Sequence, residues 1–518
     1  MSAASNLNPD CSPLPLPSGL ESRNPVAWLT IFGPGAVIAS LTIGSGELIF
    51  SSRGGALFGY RLLWFFLFVL LFKWALVFVT ARHMVLTGAH PFQRWMDLPG
   101  PRGWLPLVFF LLALLCFPVW VCFHSGTVGT LLSWLAGTTE SLHGGAHFLW
   151  GLATLALLLV LVFQGGYAAL ERIQLIIVLL MLACVVVSLF AVKPDWLEFF
   201  KGIIVPQPLA YPDWAFSQPE LANRPVWVET ITYVGVIGGS GYDYLAYVSY
   251  LRDKHWGQAG RAIATAAELA AAAQDRLHIN RRWLRAVAVD SAMSFIAVLV
   301  FSGVFVACGA VILGPQHRIP AGSNLLALQA EFVTPIYPWL KHVYFAGAFL
   351  TIFGTLYGTI EVAPTVLREI VGAFDPEYAR RHARALRKIA VSWSGFGGFL
   401  VLAWTFFIHL ARGTDTPPGL IALLTPANLF TGVLACGLIC LLAAWTDWKF
   451  LPPGLRTGIG LNVLNVTAGG IFLALGLKGY WDHGEGIAFL ILAGTLAAGW
   501  LGAVASKRFL APRHRDNK

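Results

Sequence analysis

The sequence predicts an all-α integral membrane protein with about twelve transmembrane helices, and three observations predict it. The first is composition: of 518 residues, 57% are apolar or aromatic and only 12% charged, with a mean hydropathy of +0.69, well beyond the usual soluble domain. The second is a series of apolar stretches long enough to span a bilayer, each needing roughly 17 to 25 residues. They fall near 26–52, 61–81, 104–134, 148–165, 171–192, 227–250, 286–314, 336–365, 389–410, 420–446, 457–477 and 485–505. The third is where the basic residues sit. With a cytoplasmic N-terminus, the inner segments hold 25 of the 35 Lys and Arg and the outer ones nine, which fits the positive-inside rule with both termini cytoplasmic.

The elements follow in order. Residues 1–24 are polar and rich in Ser and Pro, and read as a disordered cytoplasmic tail with no cleavable signal peptide. Residues 25–446 form a ten-helix core, and 447–518 add two further transmembrane helices and a basic cytoplasmic tail. The longest polar connections are 193–226, outside, and 251–285, inside; the latter contains "AIATAAELAAAAQDRL", a strongly helix-prone run. The inner connection 367–388 is again basic, which suits orientation and lipid-headgroup contact. The net charge of +9 is spread over these inner loops, so membrane lipid is the expected partner and nucleic acid is not. Six of the seven cysteines lie in apolar segments without a Cys-x-x-Cys pair and read as packing residues.

"IGSGEL" at 43–48 in the first span is answered by "GGSGYDYL" at 238–245 in the sixth. Corresponding interrupted helices are the expected mark of a transporter built from two inverted five-helix repeats, here about 25–193 and 226–446. Glycines at Gly44, Gly46, Gly239 and Gly241 permit local unwinding, and the freed backbone groups must then meet a neighbour, water or a solute. A mid-bilayer carboxylate costs on the order of 2.5 to 3.5 kcal/mol on insertion scales, which makes Glu47 and Asp243 functional candidates. Gly44, Ser45, Glu47, Ser240, Tyr242 and Asp243 are therefore the expected substrate site. The competing explanation is close helix packing through small residues.

Weaker candidates flank this set. Because histidine as a residue type ordinarily titrates near neutral pH, His124 is a candidate proton relay or a helix–helix hydrogen bond. Lys73 needs a partner or snorkels. Glu229 and Asp290 fall near predicted helix ends, where solvation is cheap, and Glu361 just before Pro364; all three read as structural. His143 and His147 have a helical metal-pair spacing in a loop setting that disfavours one. The chain lacks Gly-x-x-x-x-Gly-Lys-Ser/Thr, His-Glu-x-x-His and Gly-x-Ser-x-Gly, which argues against ATP-driven pumping, zinc proteolysis and serine hydrolysis. No enzyme activity and no cofactor are expected.

The run 33–88 resembles the first two helices of the Nramp family of proton-coupled divalent-metal transporters. It carries an opening Gly33-Pro34-Gly35, Phe58-Gly59-Tyr60 followed by Leu62-Leu63-Trp64, and then Ala81-Arg82 and Thr87-Gly88. The span "AVDSAMSFIAVLVFSGVFVACGAVIL" is similar to that family's seventh helix. The resemblance implies a LeuT-like fold with ten core helices in inverted repeats, and a divalent metal cation as substrate. The family's signatures are altered, however. Asp-Pro-Gly-Asn is replaced by Gly44, Ser45, Gly46 and Glu47, and Met-Pro-His-Asn by Ser240, Gly241, Tyr242 and Asp243. The acidic pair of the third helix is missing, with His124 as the nearby titratable replacement.

With a carboxylate pair and no thioether, the altered site favours a hard cation such as Mg²⁺ or Mn²⁺. The expected function is an Nramp-like secondary transporter of the bacterial inner membrane that moves a divalent cation inward. "IGSGELIF" is also similar to the Gly-rich break of transporters in the wider amino acid, polyamine and organocation superfamily, where Glu47 would favour a cationic or amine-bearing solute. A third reading is a non-transporting receptor or scaffold.

Overall fold

A computed structural model describes residues 14–506, other than 21, 23, 29, 165–186, 188, 191, 192, 219, 223, 335, 336, 414–417 and 483–485. The predicted fifth span at 171–192, Arg172, Cys184, most of the N-terminal tail and the basic residues from Lys507 onward thus lie largely or wholly outside the described residues. Every membrane-crossing element in the described residues is helical, and nine continuous helical runs among them are long and apolar enough to span. Two more predicted spans, the first and the sixth, are each broken into two shorter helices.

The first span comprises α1 (Pro34–Thr42) and α2, a π-helical turn Gly46–Ser51 running into Ser52–Phe58. Pro34 at the first helical position suits an N-terminus because its missing N–H would have no partner there. A turn at Gly59, with φ +60°, leads into α3 (Leu63–Thr87), which ends at Gly88 in the left-handed conformation, φ +74°. α4 (Trp104–Leu135) and α5 (Ala146–Gln164) follow. The sixth span comprises α6 (Val226–Val236) and α7 (Gly241–Asp253).

The helix-prone inner connection forms α8 (Ala266–Gln274). It starts with a reciprocal cap in which the Thr265 hydroxyl accepts from the Glu268 N–H while Thr265 N–H donates to the Glu268 carboxylate at 2.7 Å. The Thr265 backbone and hydroxyl donors hold the exposed Glu268 carboxyl below its ordinary range. The remaining helices are α9 (Ile279–Cys308), α10 (Leu340–Phe374), α11 (Ala383–Arg412), α12 (Leu420–Phe450, with a π turn at Leu429–Leu434), α13 (Ile459–Asp482) and α14 (Ile487–Ser506).

The helices sort into two groups, with α12 reaching both. α4 packs against α5, α10, α11, α14 and the first part of α12, whereas α3 packs against α9, α13 and the last part of α12. The broken helices lie between: α1 touches α7, α9 and α10, and α6 touches α12. Arg82 on α3 donates to both oxygens of Asp447 on α12, at 3.0 and 2.9 Å, and to Leu455 O, which fastens the second group internally.

Two acids expected at solvated helix ends are instead buried, because each has donors built around it. Asp290 on α9 accepts from the N–H groups of Gly33 and Gly35 at 3.0 and 2.8 Å, capping α1, and from the Tyr247 hydroxyl at 2.9 Å. Glu229 on α6 pairs with Arg53 of α2 at 2.6 Å and with Arg224 at 2.8 Å, and accepts the Tyr233 hydroxyl at 2.8 Å. Glu361 pairs with Arg387 across α10 and α11.

Candidate functional site

Both Gly-Ser-Gly stretches sit where helix stops. In the first, the chain leaves helical geometry at Ile43, and the Gly44 N–H turns back to Thr42 O at 2.7 Å. The glycines also permit close approach. A Cβ on Gly44 would lie 2.2 Å from Thr355 Oγ1 on α10, and one on Gly46 would lie 2.7 Å from Val236 O on α6.

In the second, α6 ends at Val236 and α7 begins at Gly241. Gly238 and Gly239 adopt φ +80° and +96°, a region nearly closed to other residues, and a Cβ on Gly239 would meet Thr42 Cγ2 at 2.5 Å. Asp243 then caps α7, accepting from the Ser240 N–H at 2.8 Å.

A cavity of about 50 Å³ lies where the two breaks meet. Of the residues expected to bind solute, Ser45, Ser240, Tyr242 and Asp243 line it, together with Gly46, Gly239 and His124. Asp243 and Ser240 keep partial exposure into this space. His124 joins the two sides: one ring nitrogen is 3.1 Å from Ser45 Oγ and the other 3.2 Å from Thr359 Oγ1 on α10. The Tyr242 hydroxyl is spent on Phe109 O at 2.6 Å, so that this residue presents its ring to the cavity.

Gly44, Glu47 and Gly241 do not line the cavity. Glu47 is fully buried between the breaks, with one carboxylate oxygen accepting from Gly44 N and the other from Gly238 N, both at 3.3 Å. The carboxylate thereby meets a backbone N–H from each broken span, that of Gly238 and that of Gly44, which it shares with Thr42 O.

Lys73, whose partner the sequence left open, is 0% exposed. Its Nζ donates to Gly239 O at 2.7 Å, Ile237 O at 2.8 Å and Gly235 O at 3.3 Å. The Tyr244 hydroxyl takes Gly238 O at 2.5 Å. The carbonyls of Gly235, Ile237, Gly238 and Gly239 at the second break are thus met from inside the protein.

Sequence reasoning missed several wall residues: Thr42, Cys116, Phe117, Trp120, Thr359 and Thr431. Cys116, expected to be a packing residue, reaches the cavity from α4. Nothing in an unbroken apolar helix distinguishes these positions; only the helix spacing from His124 to Trp120 and Phe117 hinted at a shared face. His143 and His147 form no metal pair, because His147 Nδ1 contacts Gly144 O at 3.0 Å and His143 sits in a turn at φ +54°. Among the described residues, no three His, Cys, Asp or Glu side chains gather closely enough to hold a metal ion.

Residues 35–351 match the model of the Nramp family, natural resistance-associated macrophage protein-like. The chain belongs to the Nramp family. Membership makes it a membrane metal-ion transporter by family and not an enzyme. Among solved structures, this Nramp chain is similar to the Eremococcus coleocola manganese transporter in complex with an aromatic bis-isothiourea substituted compound. The TM-score is 0.64 at 15% identity, over 98% of this chain and 99% of that one. A mutant form of the same transporter gives 0.63 at 16% identity with the same coverage.

Mhp1, a nucleobase-cation-symport-1 family transporter solved in a closed conformation with bromovinylhydantoin bound, gives 0.50 at 16% identity, over 93% of this chain and 92% of that one. These likenesses show the shared LeuT-like fold. No curated protein sequence matches the chain.

Proposed function

We propose that this Nramp-family chain moves a hard divalent cation, Mg²⁺ or Mn²⁺, inward across a bacterial inner membrane with both termini cytoplasmic. In this reading residues 25–193 and 226–446 act as inverted repeats that rock around the cavity at their junction. The observation that carries it is the chemistry of that cavity. The partly exposed carboxylate of Asp243 shares it with the hydroxyl-bearing residues Thr42, Ser45, Ser240, Thr359 and Thr431, and no methionine lines it.

Five hydroxyls and a carboxylate outnumber the softer groups on the wall, the Cys116 thiol and the His124 imidazole, and oxygen donors suit Mg²⁺ or Mn²⁺. The volume leaves room for an ion and a few waters, each water needing about 10–15 Å³ on this measure. With one carboxylate on the wall, the ion keeps part of its hydration shell, as Mg²⁺ ordinarily does. Glu47 contributes by fixing the two breaks against each other, and Gly44, Gly46, Gly239 and Gly241 by letting the chain bend there. His124, between the Ser45 and Thr359 hydroxyls, is the proposed proton carrier.

One observation favours a second reading, an amine-bearing solute: Phe117, Trp120 and Tyr242 stand around Asp243, and aromatic faces with a carboxylate recognise ammonium groups. Uptake into liposomes holding the purified protein tests both, with Mg²⁺, Mn²⁺, amino acids and simple amines offered with and without a pH gradient. Saturable metal uptake, stimulated by an inward proton gradient and lost in Asp243→Asn, is the expected result. Amine uptake indifferent to metals would replace the first reading with the second.

A further inference from the structure

Where helices break inside a membrane, the carbonyls left without partners ordinarily coordinate a small cation such as Na⁺. In the second break those carbonyls converge on a cation that is part of the chain. The Lys73 ammonium has three donors, and it spends them on Gly235, Ile237 and Gly239, at 3.3, 2.8 and 2.7 Å. Gly238 and Gly239 have left-handed backbone, and a Cβ on Gly238 would lie 3.5 Å from Lys73 Cδ, so the lysine stem lies directly against the turn.

Glu47 grips the same break with opposite polarity, taking the Gly238 N–H. Lys73 interacts electrostatically with both Glu47 and Asp243. With all three ionised, the group carries one net negative charge instead of two.

We propose that the second helix break is a monovalent-cation site whose permanent occupant is the Lys73 ammonium, a tethered ion that holds the break open and sets the charge presented to the solute. The carbonyls of Gly235, Ile237 and Gly239 are therefore taken up by Lys73, and the cargo is left with Asp243 and the hydroxyls of the cavity wall. Removing the ammonium, while keeping the break, creates a vacant site for a free cation of similar size, such as Na⁺, K⁺ or ethylammonium. The inference holds whichever cargo the cavity takes.

The test is the melting midpoint of the purified full-length chain, measured as wild type and as Lys73→Ala in sodium, potassium, ethylammonium or choline chloride at equal ionic strength. The expected result is that Lys73→Ala melts several degrees below wild type in choline and recovers saturably with at least one small cation, while wild type is indifferent to the choice of salt. Lys73→Gln, which offers two N–H donors without charge, decides the matter if Lys73→Ala does not accumulate, and it too is expected to gain stability from the small cation. A Lys73→Ala or Lys73→Gln protein that melts alike in all four salts overturns the proposal, as does a wild type that responds to the small cations as the variants do. Because the readout is stability, a failure here is distinct from a failure to see metal or amine uptake.

Discussion

The carboxylate of Glu47 and the backbone N–H of Gly238, 191 residues apart in the chain, are hydrogen-bonded at 3.3 Å, while the other Glu47 oxygen holds Gly44 at the same distance. One buried side chain therefore ties the two broken spans together.

Glu47→Gln turns an NH₂ toward one of two backbone N–H groups: toward Gly238 it leaves a buried donor unmet at about 1–3 kcal/mol, and toward Gly44, which keeps Thr42 O at 2.7 Å, it sets two donors against each other. The variant is expected to melt at a lower temperature than wild type, with a larger drop than Asp243→Asn shows, since Asn keeps an acceptor for the Ser240 N–H. Thermal unfolding of the three proteins in one detergent checks the order.

Gly239→Ala is expected to abolish uptake while leaving the overall helix content intact. Its backbone sits at φ +96°, and the new methyl would press on Thr42 Cγ2 at 2.5 Å, a combination of strain and overpacking worth roughly 1–3 kcal/mol at the junction itself. Gly494→Ala, where a Cβ meets nothing within 4 Å, is the matched control and should transport normally. Circular dichroism and liposome uptake separate the two outcomes.

Arg53 and Glu229 form a buried pair at 2.6 Å between α2 and α6. Glu229 also pairs with Arg224 at 2.8 Å and Arg53 with Glu220 at 3.2 Å, so removing one partner leaves the other charge partly met and costs less than the about 3–5 kcal/mol of a fully stranded charge. Arg53→Met and Glu229→Met are each expected to lower the denaturation midpoint, and their combination to lower it by less than the sum of the two. A double-mutant cycle on denaturation midpoints measures this directly.

Asp290 fixes the start of α1 through the N–H groups of Gly33 and Gly35. Hydrogen bonds to a charged group contribute about 1.5–3 kcal/mol each, so Asp290→Ala is expected to free the first turn of α1. Amide hydrogen exchange should quicken at residues 33–37 and remain slow in α3. Unchanged exchange there would show that α1 is held by packing alone.

Much of this architecture was legible in the sequence because spanning length, apolarity and loop charge are local properties. The two Gly-Ser-Gly stretches lie between Thr42 and Ser51 and between Val236 and Gly241, where helices end and begin; a glycine pair beside an acid has few other uses inside a helix. The direction in which each acid points was not legible. Glu47 and Asp243 look alike in their motifs, yet one braces the backbone and the other meets the cavity, a distinction set by which N–H groups lie within reach.

The burial of Glu229 and Asp290 depends on Arg53 and on Gly33 and Gly35, partners 176 and more than 250 residues distant. Lys73 was visible as a charge in need of a partner, but its partners are carbonyl oxygens, which every residue carries and no motif reveals.

The most direct test of the central claim is Mn²⁺ binding by calorimetry to the purified protein, comparing wild type with Asp243→Asn. The account predicts that the substitution weakens binding by about tenfold or more, equivalent to at least about 1.4 kcal/mol, with little change in melting temperature. Equal affinity in the two proteins, or no Mn²⁺ or Mg²⁺ binding by wild type at all, would contradict it.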